Sequence, residues 1–170
     1  MTNRTKKRRF TAAFLSLTIL MLVFNGCKKD QTTQGGYLMK FDVNGQTVEY
    51  TNQASLIAAF SSAATQYNAL VTGYDANSNA GLQIFDDKAI TTGTYSGYTI
   101  AGSAVVGVLI HYQEPGGTLY TQGTTNSDAV ITISEITATT VRGTFSGTLK
   151  TAGKSDISVT NGQFYVWRAN

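Results

Sequence analysis

Large apolar and polar positions alternate from Tyr37 onward, and the alternation recurs to the end of the chain. In Tyr37-Leu38-Met39-Lys40-Phe41-Asp42-Val43 every odd position is large and apolar, so an extended backbone puts Tyr37, Met39, Phe41 and Val43 on one face. Asn44-Gly45 follows at once. A type I′ turn needs positive φ at both central residues, which Asn and Gly tolerate best. A two-residue turn pairs Val43 with Gln46, Phe41 with Val48 and Met39 with Tyr50, and on the opposite face Lys40 with Glu49. Apolar meets apolar and opposite charges meet, so pattern and turn predict one register.

The same logic marks strands at Tyr67 to Tyr74 and Leu82 to Asp87, joined by the polar loop Asp75 to Asn79. Ala104 to Tyr112 is apolar on both faces, as expected of a strand covered on both sides. Glu114-Pro115-Gly116-Gly117 turns the chain into Thr118 to Gln122, and Ala129 to Ile136 is a further strand. Thr140 to Lys150 alternates cleanly, with Val141, Phe145 and Leu149 beside Gly143 and Gly147 on one face and Arg142, Thr144 and Ser146 on the other. Asp156 to Thr160 leads through Asn161-Gly162 to Gln163 to Arg168. That dipeptide is a tight turn pairing Val159 with Phe164, or a bulge in one continuous strand. Ala54 to Ala64 is ambiguous, because Leu56, Ile57 and Phe60 fit a short helix about as well as a strand. Tyr95, Tyr98, Tyr112 and Tyr120 fall in or near loops. Eight to ten closely spaced strands predict an all-β domain, a single antiparallel β-sandwich, with a closed lipocalin-like β-barrel as the alternative.

The first 26 residues follow a different rule. Arg4, Lys6, Lys7, Arg8 and Arg9 precede the apolar run Phe10 to Phe24, which is shorter than the roughly 20 residues a permanent spanning helix needs. That is the layout of a cleaved signal peptide helix. Phe24-Asn25-Gly26-Cys27 resembles the lipobox of bacterial lipoproteins in Gly26 and Cys27, while Phe24 and Asn25 depart from its usual residues. The resemblance implies that Cys27 carries a diacylglycerol, and two or more acyl chains hold a protein on a membrane stably. Lys28 stands where an Asp would favour inner-membrane retention, so an outer-membrane lipid anchor is expected. Lys28-Lys29-Asp30 resembles the short charged signals that send lipoproteins of the Bacteroidetes type to the cell surface. The organisation expected is therefore a signal peptide at 1–26, a lipidated Cys27 with a flexible polar tether at 27–36, and a β domain at 37–170.

Removing the signal changes the charge. The chain has 13 Lys+Arg and 10 Asp+Glu, but five of the basic residues precede Cys27 and every acid follows it. The remainder is mildly acidic, which argues against nucleic acid as a partner. Cys27 is the one cysteine, so no disulfide supports the domain and packing alone holds a chain expected to be monomeric. Gly143-Thr144-Phe145-Ser146-Gly147-Thr148-Leu149, with Val159-Thr160-Asn161-Gly162-Gln163-Phe164, resembles a pattern in small uncharacterised β-rich outer-membrane lipoproteins of the Bacteroidetes type. The resemblance implies the fold class and the anchor, and brings no catalytic residue.

Candidate chemistry is thin. Gly153-Lys154-Ser155 lacks the glycine four intervening residues earlier that a phosphate-binding loop requires, so it reads as a hairpin turn. Asp75-Ala76-Asn77-Ser78-Asn79 resembles a calcium loop but has Ala80 where the glycine belongs. Its Asx residues are expected instead to stabilise a turn by bonding their own backbone. His111 is the one histidine and ends an apolar strand, where a structural role is ordinary. No metal, cofactor or catalytic residue is expected. Aromatics remain: with Phe164 and Val166 on one face of the last strand, Tyr165 and Trp167 fall on the other. There they form a ligand-contact platform for a glycan or protein partner, or are covered by a second sheet. The expectation is a non-enzymatic, lipid-anchored binding or scaffolding domain, the alternative being a lipocalin-like carrier of a small apolar ligand.

Overall fold

The computed structural model describes residues 36–101, 104–123 and 127–169. The expected signal peptide at 1–26, Cys27 and the tether up to residue 35 lie outside the described residues. The fold is all-β. Its strands are β1 (Leu38–Val43), β2 (Gln46–Tyr50), β3 (Ile57–Ala63), β4 (Gln66–Tyr74), β5 (Asn79–Asp86), β6 (Gly93–Ser96), β7 (Tyr98–Ala101), β8 (Ala104–Gln113), β9 (Leu119–Gln122), β10 (Val130–Ile136), β11 (Thr140–Lys150) and β12 (Ile157–Ala169), with one 3-10 turn at Gln53–Ser55.

The first hairpin has the predicted register, with Met39 opposite Tyr50, Lys40 opposite Glu49, Phe41 opposite Val48 and Val43 opposite Gln46. Asn44 and Gly45 take φ of 49° and 83°. Lys40 Nζ lies 3.4 Å from Glu49 Oε2, an exposed pair worth about 1 kcal/mol at most. Burial of Met39, Phe41 and Tyr50 on the other face outweighs it, at about 1.5–3 kcal/mol for each large apolar side chain.

Strand pairing runs β2-β1-β12-β3-β4-β5-β8-β9-β11-β10-β6, and a further β11–β12 pairing closes β12, β3, β4, β5, β8, β9 and β11 into a ring. The sheet is mixed rather than purely antiparallel, because β12 and β3 run parallel, Trp167 opposite Ile57. The cause is local: β2 already runs in the direction of β12, and the 3-10 turn shifts the chain sideways without reversing it. Asn52 caps that turn, its Oδ1 accepting from Ala54 N at 3.1 Å. The ambiguous segment 54–64 thus contains a strand. Leu56 and Ala58 are wholly buried, so its working period is two.

Asn161-Gly162 forms a bulge in one continuous β12, not a turn. Phe145 faces Gly162 and Gly147 faces Val159, leaving Thr160 and Asn161 both opposite Ser146. The extra residue keeps Ile157 and Val159 on the buried face together with Phe164 and Val166, although the two pairs differ in odd and even numbering.

Three further expectations are corrected. β6 and β7 are strands where loops were expected at Tyr95 and Tyr98. Each is only four residues long, and Gly97 at φ 71° separates them, so neither shows a readable period. Tyr112 and Tyr120 pair across β8 and β9 and are buried. β8 is covered on one face only: Val108, Ile110 and Tyr112 are buried, while Leu109 and His111 are half-buried and Val106 is exposed.

The interior is filled with side chains. Phe41 meets Tyr112 edge-on at 5.5 Å and Phe145 at 5.4 Å, and Phe145 meets Phe164 at 6.4 Å. These are distances at which aromatic pairs add to simple burial. Where β9 ends, the buried Gln122 side chain continues the ladder. Its amide accepts from Ile110 N at 3.1 Å and donates to Val108 O, so two buried backbone groups keep partners.

Candidate functional site

Period two in the second half of β12 decides which rings face out. Phe164 and Val166 are buried, and Tyr165 and Trp167 lie on the opposite face as predicted. Trp167 is 39% exposed, so no second sheet among the described residues covers it.

Tyr165 is held between neighbours. Its ring stacks with Tyr37 at 5.6 Å and 14°, and Arg142, its register partner on β11, places Cζ 4.7 Å from the ring centroid. A cation over an exposed ring contributes about 0.5–1 kcal/mol. Tyr37 was expected to share the inward face of Met39; half-buried, it reaches round to the outward Tyr165. Tyr165 therefore supports the platform, and Trp167 presents the more open ring.

Beside this pair runs a shallow polar groove lined by Val130, Thr132, Thr144, Ser146, Asn161 and Gln163. Thr132 faces Thr144 and Thr144 faces Gln163, so their side chains form a row across three strands. Thr94 extends it, its Oγ1 lying 3.0 Å from that of Thr132. The groove borders the β12 bulge, where Asn161 Nδ2 donates to Asp42 Oδ2 at 2.8 Å. Sequence reasoning did not find this groove. Its signal is the polar outward set of β11, but the row exists only once the order of β10, β11 and β12 is known.

The other candidate residues have structural partners. A second groove contains the Asp75–Asn79 loop, His111 and Gln113. In it Asp75 Oδ1 accepts from Asn77 N and Ser78 N, both at 2.7 Å, and these bonds hold its carboxyl below the usual range. The carboxylate is turned onto its own loop. Ser78 Oγ in turn lies 3.0 Å from the hydroxyl of the buried Tyr50. Among the described residues no group of three or more His, Cys, Asp and Glu could hold a metal ion. The His111 imidazole fills the space that a Cβ at Gly81 would occupy, and burial lowers its pKa. Lys154, in the turn before β12, donates to Glu114 Oε1 at 3.0 Å and Thr118 Oγ1 at 2.7 Å, which fastens two turns together.

Compared with protein-family models, with curated proteins and with solved structures, the chain matches none.

Proposed function

We propose that this protein is a lipid-anchored outer-membrane lipoprotein whose β domain binds a glycan or protein partner through the outer face of β10, β11 and β12. The observation that carries the reading is the exposed Trp167 beside a braced Tyr165. An open indole on the same face of β12 as a row of hydroxyl and amide groups offers both stacking and hydrogen bonding to a ligand. A carrier of a small apolar ligand needs interior space. The close contacts of Phe41, Tyr112, Phe145 and Phe164 inside the fold favour the outer face instead.

The anchor and the binding face are tested separately. Intact mass of the protein from membranes is expected to include a diacylglyceryl group on Cys27, and protease treatment of whole cells is expected to cleave the domain. Glycan arrays and pull-downs with the full-length chain in detergent address the face. Trp167→Ala is expected to weaken capture about two- to ten-fold, the equivalent of the 0.5–1.5 kcal/mol of an aromatic contact. Arrays and pull-downs that both come back empty would remove the binding reading while leaving the anchor standing.

A further inference from the structure

The charges on the outer face are mostly spoken for. Lys40 pairs with Glu49, Lys150 with Asp156 and Lys154 with Glu114. Arg168 lies over the Phe60 ring and donates to Thr137 O at 2.9 Å. Arg142 belongs to no ion pair among the described residues, although Glu135 is its register partner on β10. Its guanidinium lies over Tyr165 instead.

That placement has a chemical consequence. A guanidinium has five N–H donors, none of those of Arg142 is in a hydrogen bond among the described residues, and such donors match the two oxygens of an anionic group. Next to Arg142 on the same face stand Thr144 and Gln163, with Thr132 beyond. Neighbouring strands lie about 4.8 Å apart, so these neutral groups form a closely spaced series of donors and acceptors suited to sugar hydroxyls. Trp167 supplies the ring surface. A nucleic acid would ask for several unpaired cations along its backbone, whereas among the described residues of this face Lys40 and Lys150 are paired with acids and Arg142 is not.

Resting on the binding reading above, we propose that this face takes an acidic saccharide, its anionic group held by Arg142, its hydroxyls by Thr144 and Gln163, and a sugar ring laid on Trp167. Glu135 then sets the affinity from the other side, since its carboxylate repels the same anion.

The test is calorimetric titration of the full-length chain in detergent with oligogalacturonate, its neutral methyl ester and dextran sulfate. At least one anionic ligand is expected to bind ten-fold or more tighter than the ester, with affinity falling as salt rises. Oligogalacturonate or dextran sulfate as the tighter ligand identifies carboxylate or sulfate as the anionic group. Arg142→Gln is expected to bring the affinities for acid and ester together, and Arg142→Lys, which keeps the positive charge, to retain most of the preference, a pair of results that misfolding would not give. Glu135→Gln is expected to raise affinity for the anionic ligand two- to three-fold. Equal affinity for acid and ester, or an Arg142→Gln chain that keeps the preference, overturns the inference and leaves a neutral-glycan reading intact. Binding to no saccharide, alongside specific capture of a protein, overturns the inference as well.

Discussion

At Gly81 the missing side chain gives the His111 imidazole its place. The two residues face each other across β5 and β8, and a Cβ at Gly81 would collide with His111 Cε1. Gly81→Ala is expected to cost about 1–3 kcal/mol, the usual penalty of overpacking, read as a lower urea midpoint. Adding His111→Ala should recover much of the loss, since the double variant has no ring to displace. The single His111 is visible in the sequence, and a structural role is what its place at the end of an apolar strand predicts; its glycine partner is not visible, because the two lie thirty positions apart and meet only through strand pairing. Tyr165 and Trp167 were legible because their outward position follows from their own strand. Arg142 was legible only as an outward residue of β11. Its seat on Tyr165 depends on the β11–β12 register.

β12 is the element on which the fold turns, since it pairs with β1, β3 and β11. Its bulge lets one strand keep two apolar half-patterns on the same face, and Asn161 reaches φ 53° to form it. Asn161→Gly is expected to be nearly neutral. Asn161→Val should cost about 1–2 kcal/mol, because a β-branched residue resists positive φ; both variants lose the exposed bond to Asp42, so the contrast reads the backbone conformation. Chemical denaturation of both variants checks the contrast, and equal stabilities would mean that the bulge does not depend on this conformation. The bulge was one of two geometries open from Asn161-Gly162, since Gly serves a hairpin or a bulge. The choice fell to β1 and β11, which flank both halves of the strand and leave no room for it to fold back on itself.

Over the whole molecule, ionisation sets the pH range of stability. Burial raises the Tyr50 hydroxyl from 10.0 to about 12 and the Tyr112 hydroxyl in the same direction. Above pH 10 the unfolded chain therefore releases protons that the folded chain retains, and stability falls as pH rises. Burial lowers His111 below 6.5, so the unfolded chain binds the extra proton first and stability declines as pH drops through that region. Hydrogen bonds lower Asp75 and Asp128 below 3.8, which adds stability above the unfolded value that is lost as pH falls through the folded one. Urea midpoints are expected to be flat between about pH 7 and 10 and to fall on either side. Tyr50→Phe should flatten the alkaline limb; an unchanged limb would assign it to other groups.

Local rules settled part of this protein before any fold existed. Period two and the Asn44-Gly45 turn determined the β1–β2 register, the inward set of β11 and the outward position of Tyr165 and Trp167, because each depends on residues a few positions apart. Tertiary structure alone decided that β3 lies parallel to β12, that seven strands close into a ring, that β6 and β7 are strands, and that Thr132, Thr144 and Gln163 form one row. Those outcomes join residues as distant as Ile57 and Trp167, and the choice among partners is made by burying the whole apolar set at once. No single strand carries that information, since every strand of this kind offers the same hydrogen-bonding edge.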